Sequence, residues 1–442
     1  MSENFANNFN TSIPGGQTQA QPTQSAAPQG YYYPQQAQGQ VPGQQAQPVY
    51  QNAAAPIPGQ QTQAAYRNAS APSRAQPYPY APTQPAMQYV PYQYPNGYPI
   101  YPGNPYYYDP VLARREYEKR LKVEKAKSSL RYLGNMAGLS ILLFLIFNTV
   151  MSTVLAVPGF IELYKTNSAF TSAFSIVGSF IYLFIPFTIV ALLTRIKDKS
   201  VNFFPFKKMN TKRALLCIPI GLLVCLIANI ITNFIVNIFD SFGVKLSQQS
   251  DSMAEPNTAF TLFLAFICTA VMPALLEEYS LRGVILQPAR KYGMMFAIVS
   301  SSAIFGLMHG NLIQAPFAFI VGMCFAFLAI KCDSLWIGVI LHLINNGFSV
   351  IMSFAESKMP ETSFNIAYYI IISVTAVAGI ACLVVLIMTD RQFFKKSEGN
   401  IAGEEAAILS AGQKFVAYFI NVPMIISFLF IVLLTAQFVA RK

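Results

Sequence analysis

The chain contains two histidines, His309 and His342, and both fall inside apolar stretches long enough to be membrane helices. A third such stretch carries Glu277, Glu278 and Arg282 in the run LLEEYSLRG. Ionisable groups in hydrocarbon cost roughly 2.5–3.5 kcal/mol each on insertion scales, so they mark function by default. A carboxylate held in such a place is suited to act as a general base on water. His342 and Asn346, in LHLINN, point hydrogen-bond donors toward one spot because they are four residues apart on a helix. His309 follows Phe305 by the same interval, in FGLMHGN.

Spacing gives these groups different tasks. Glu278 and Arg282 stand at i, i+4 with the acid first, the favourable order for a pair on one face. Glu277 is turned about 100° from them and has no partner on its own helix. Depth decides whether the groups can meet. Glu277 lies about 13 residues before the turn at Lys291–Gly293 and His309 about 15 residues after it, roughly 20 and 22 Å from one membrane face. His342 lies roughly 14 Å from the turn at Lys331–Asp333, a difference that helix tilt absorbs. Each motif alone also has a plain structural reading. The acidic pair can mark the interfacial end of a span, and Glu278–Arg282 can be only an ion pair. His309 can be an interfacial histidine, Phe305 core packing, and His342 and Asn346 interhelical glue worth about 0.6 kcal/mol per contact. The three together, in order, holding every histidine of the chain, point to a site.

The elements that must position them are transmembrane. Of 442 residues, 53% are hydrophobic and 11% charged, far below the roughly 25% charge of a soluble domain. Candidate spans lie near 133–157, 169–194, 214–239, 259–289, 294–311, 314–331, 334–354, 366–389 and 416–439, the sixth short enough to be re-entrant. The expected fold is all-α, a polytopic transmembrane helix bundle of 8–9 spans. Basic residues crowd alternate loops: Arg195 to Arg213, then Arg290 and Lys291, then Arg391 to Lys414. This predicts an integral, multi-pass protein with a cytoplasmic N-terminus. Arg441 and Lys442 would then lie outside if there are nine spans. The net charge of +11 is explained by the same loops and anionic lipid, so no nucleic acid is expected as a partner. None of the six cysteines forms a CxxC pair, so neither a thiolate metal site nor a disulfide framework is indicated, and they read as small buried apolar residues.

Residues 1–110 are rich in Gln, Pro and Tyr and have no apolar run that would serve as a signal peptide, so a disordered cytoplasmic tail is expected, a tether or a segment that binds partners or self-associates. Residues 111–132 read as a charged juxtamembrane helix, and 133–442 as the transmembrane domain.

The motifs Glu277-Glu278-x-x-x-Arg282, Phe305-x-x-x-His309 and His342-x-x-x-Asn346 resemble the EExxxR, FxxxH and HxxxN signature of the CPBP family, which contains the type II CAAX prenyl endopeptidases and the bacteriocin-processing or immunity (Abi) proteins. The resemblance covers about 260–352. It implies an intramembrane endopeptidase, in a bacterial cell membrane, acting on a membrane-anchored protein or peptide of CAAX or bacteriocin type. In it, Glu277 with His309 activates water, His342 and Asn346 stabilise the oxyanion, and Glu278, Arg282 and Phe305 support the site. A metal-independent glutamate mechanism is favoured, because HExxH is absent. Zn²⁺ on Glu277, His309 and His342 is the alternative. Two other functions stay open: a non-catalytic scaffold or immunity protein that keeps the motif, and an ion-coupled transporter using Glu277 and the histidines as a relay.

Overall fold

The computed structural model describes residues 110–246, 256, 258–394, 405–436 and 439–441. The 1–110 tail expected from composition lies outside them, except for Pro110. The charged stretch after it contains no glycine and no further proline and continues into the first apolar block, so the two form one helix, α1, Pro110–Leu155. The boundary expected at 132 is one of composition, not of backbone. A short α2, Pro158–Thr166, leads into α3, Ser168–Lys197, and α4, Thr211–Ser241. Asn167 and Asn210 cap α3 and α4 by accepting the amides of Phe170 and Arg213. α5, Ala259–Tyr292, opens on a reciprocal cap between Thr258 and Thr261. Then follow α6 (Met294–Met308), α7 (Gln314–Lys331), α8 (Trp336–Lys358) and α9 (Glu361–Thr389). A single turn, α10 (Glu405–Ile408), precedes α11 (Ala411–Phe419) and α12 (Val422–Ala436).

Seven of these helices are long and apolar enough to cross a membrane, and α11 with α12, bent by 76°, makes an eighth. The short element is α6, with 15 residues, and not the sixth stretch, which forms the 18-residue α7. The stretch expected to run to 311 stops early for a local reason. Gly310 takes φ +64°, and the Asn311 side chain accepts the amides of Ile313 and Gln314 at 3.1 and 2.7 Å, starting a new helix.

One end of the bundle is laced by ion pairs between loops. Lys207 meets Asp333 at 2.6 Å, Lys291 meets Asp198 at 3.2 Å, and Arg213 meets Asp390 at 2.7 Å. The Ser200 hydroxyl, with help from Lys291, holds the Asp198 carboxyl below its usual range. The basic loops that sequence placed on one face therefore share that face. At the other end, β1 (Val244–Leu246), just beyond α4, pairs antiparallel with β2 (Val439–Arg441). Val439–Arg441 thus lies beside the segment that follows α4.

α1 carries Gly134 and Gly138 one turn apart, and the bent pair packs on that face. A Cβ at Gly134 would overlap the Tyr418 carbonyl, and one at Gly138 the Met424 amide. Ser427 Oγ donates to the Gly138 carbonyl at 3.1 Å. Gly138→Val is expected to destabilise the protein by about 1–3 kcal/mol through overpacking, read as a lower thermal midpoint in detergent. Gly159→Ala, where a Cβ meets open space, should leave the midpoint unchanged.

Candidate active site

The centre of the bundle is an ion pair with no access to solvent. Glu278 and Arg282 are 0% and 1% exposed, and Arg282 Nη1 lies 3.1 Å from Glu278 Oε1. α5 winds as a π-helix from Glu278 to Ile285, a departure that recurs at functional sites. The guanidinium is packed over Phe305 at 4.6 Å and near Phe325 at 5.7 Å from the ring centres, and its Nη2 donates to the Gly322 carbonyl. α8 approaches the carboxylate at Gly338, where a Cβ would collide with Glu278 Oε2. The sequence reading did not single out Gly338. No motif marks it, since its task is to be small opposite a residue sixty positions away.

His342 lies between the two carboxylates. Its Nδ1 is 3.3 Å from Glu278 Oε1 and its Nε2 is 3.7 Å from Glu277 Oε2. The difference in depth between His342 and Glu277 expected from counting is thus absorbed in the packed bundle. Glu278 is sealed, whereas the Glu277 side chain is 23% exposed and borders a cavity of about 480 Å³.

Asn346 is held by a defect in α5. Just before Pro273, which has no N–H to donate, α5 runs as a π-helix over Ile267–Val271, a stretch that includes the carbonyl of Thr269. Asn346 Nδ2 donates to this carbonyl at 3.1 Å. Its Oδ1 accepts from Asn345 Nδ2 at 3.1 Å, so the amide group is fixed in orientation and its second N–H is left over from the Thr269 bond.

His309 stands just past the end of α6. Its Nδ1 is 2.8 Å from the Phe305 carbonyl, which can only accept, so Nδ1 carries the proton and the neutral ring offers Nε2 as a base. Among the described residues His309 makes no ion pair with Glu277. The two instead line the same cavity, together with His342, Asn346 and Phe305. The cavity wall also includes Tyr182 and Ser179 of α3 and Asn229 of α4, which sequence reasoning passed over. Their signal was a polar side chain in an otherwise apolar span.

The arrangement supplies a carboxylate beside an imidazole, a second imidazole with a free ring nitrogen, and an oriented amide donor. Among the described residues no three His, Cys, Asp or Glu side chains form a group suited to a metal ion.

Residues 259–348 match the protein family described as type II CAAX prenyl endopeptidase Rce1-like. The matched segment contains the three motifs and bears out the CPBP resemblance they carry. The chain is also similar to the Bacillus subtilis (strain 168) protein named "Putative membrane peptidase YdiL", with 33% identity over 113 residues, 25% of this chain and 46% of that protein. The chain thus spans less than half the length of this curated relative. No solved structure matches it.

Removing one member of the sealed pair leaves the other buried without a partner. Arg282→Met or Glu278→Leu alone should cost about 3–5 kcal/mol of stability. The double variant should recover much of that loss, a coupling that a double-mutant cycle in detergent reads directly.

Proposed function

We propose that the protein is an intramembrane endopeptidase in which Glu277 removes a proton from water as that water attacks a peptide carbonyl. The observation that carries this reading is the pairing of Glu277 with His342 at the rim of an internal cavity that also contains His309 and Asn346. Neighbouring Glu278 is excluded from the role. It is fully buried and engaged by Arg282 and His342, whereas Glu277 reaches the cavity. The matched family and the membrane-peptidase relative support the same activity.

The residues divide the work as follows. Water between Glu277 and His309 gives its proton to the carboxylate while His309 Nε2 holds it in line. As the tetrahedral oxyanion forms, the uncommitted N–H of Asn346 donates to it, and His342 adds a second bond from Nε2 when its ring carries both protons, Nδ1–H being directed at Glu278. Glu277 then delivers the proton to the leaving amine, and the peptide bond is broken. Glu278 and Arg282 keep His342 in place and never meet substrate. The substrate is a membrane-anchored protein or peptide, since the cavity lies among helices long enough to span the bilayer. The N-terminus and the basic loops face the cytoplasm of a bacterial cell.

Glu277→Gln keeps the size of the side chain and removes the base. It should lower cleavage by about 10²–10⁴-fold, seen as protein termini in the membrane proteome that appear with the natural chain and vanish with the variant. Termini shared by both would refute the reading, and binding or protection that persisted without any cleavage would favour a scaffold. Exhaustive treatment with a strong Zn²⁺ chelator is expected to leave cleavage at its original rate. Loss on chelation and return with Zn²⁺ would overturn the glutamate mechanism.

A further inference from the structure

A second cavity, of about 270 Å³, adjoins the first and lies between α4, α8 and α9. The two share Asn229, Asn345 and Ser349 in their walls. From this partition the second cavity follows one face of α8 through Phe348 and Met352 to Glu356, near the end of the helix. Leu226 of α4 and Ile372 of α9 close it from the sides. From Asn345 to Glu356 the helix rises roughly 16 Å. At about 3.3 Å per residue, that length matches some five residues of extended chain. A slot of that length along one helix face suits an extended strand.

We propose that this slot binds the extended apolar segment of the substrate on one side of the scissile bond, and so selects which peptides are cut. The inference rests on the endopeptidase reading of the adjoining cavity and adds to it the chemistry of the substrate. Two features favour a peptide over a hydrocarbon tail. A peptide brings backbone N–H and C=O groups that need partners inside a membrane, and the partition presents two carboxamides and a hydroxyl at the point where the strand would pass. Beyond the partition, Phe348, Met352, Leu226 and Ile372 offer apolar surface to side chains, while Ser353, Asn365, Tyr368 and Thr375 add polar groups on the way to Glu356 at the far end. A lipid tail would leave the partition without use. Asn345 serves both cavities: its amide fixes Asn346 on one side, and its side chain borders the slot on the other.

The test uses the full chain in membranes and compares protein termini produced by the natural form, Glu277→Gln, Ile372→Trp and Phe348→Ala. Ile372→Trp narrows the slot. It should reduce termini flanked by Phe, Leu or Ile by about 10–200-fold, while those flanked by Ala or Gly persist. Phe348→Ala widens it and should enrich bulkier flanking residues, a gain that damaged folding cannot produce. Termini that depend on Glu277 but keep one flanking profile across both slot variants would overturn the inference and leave the protease reading intact, as a lipid-filled slot predicts. Termini that do not depend on Glu277 would overturn both.

Discussion

A carboxylate and a guanidinium sealed between helices dictate how the rest of the bundle is built. Glu278 and Arg282 are sealed from solvent, so the elements around them supply the contacts that hold the pair, although Glu278 Oε2 and Arg282 Nε keep no hydrogen-bond partner. α6 gives the face of Phe305, α7 gives the Gly322 carbonyl and the ring of Phe325, and α8 gives His342. Four helices are thereby fixed in register by one ion pair. The reacting groups inherit this register: His342 is aimed at Glu277 because its other nitrogen faces Glu278. The adjacent glutamates have opposite fates for the same reason, since a helix cannot turn both into one pocket.

Much of this was legible in the sequence, and the legible part was side-chain chemistry at helical intervals. Glu278 and Arg282 pair as their spacing requires, and Asn346 shares a face with His342. Depth matched Glu277 with His309, which line one cavity, but set His342, which meets Glu277, several ångströms away. What stayed hidden was information held in the absence of atoms. Gly338 matters for the Cβ it lacks opposite Glu278, and Gly322 for letting α7 come close to Phe305 and Ser302. A single sequence shows such positions only as glycines among many. Gly310, by contrast, follows His309 directly and ends α6 sooner than hydropathy alone suggested.

The bundle itself follows from hydropathy because hydrocarbon leaves the backbone few choices. The departures come where polar residues interrupt an apolar block. After Phe419 the chain turns at Asn421, whose side chain accepts the Met424 amide at 3.0 Å and donates to the Tyr418 carbonyl at 2.7 Å. That exchange of backbone partners for side-chain ones permits the bend between α11 and α12, and hydropathy averaged over the block does not register it. The two short strands were equally unmarked, for three-residue pairings between distant segments leave no periodicity to read.

The π-helical stretch before Pro273 has a mechanical consequence. A helix with a missing rung bends most easily at that rung. In α5 the weak point lies one turn above Glu277, with its slack taken up by a carboxamide from a different helix. The half of α5 below it is clamped by Arg282, while the half above is restrained by an amide that a passing peptide bond can imitate. The two halves of α5 are thus held by different means, one by a buried ion pair and the other by a neutral amide.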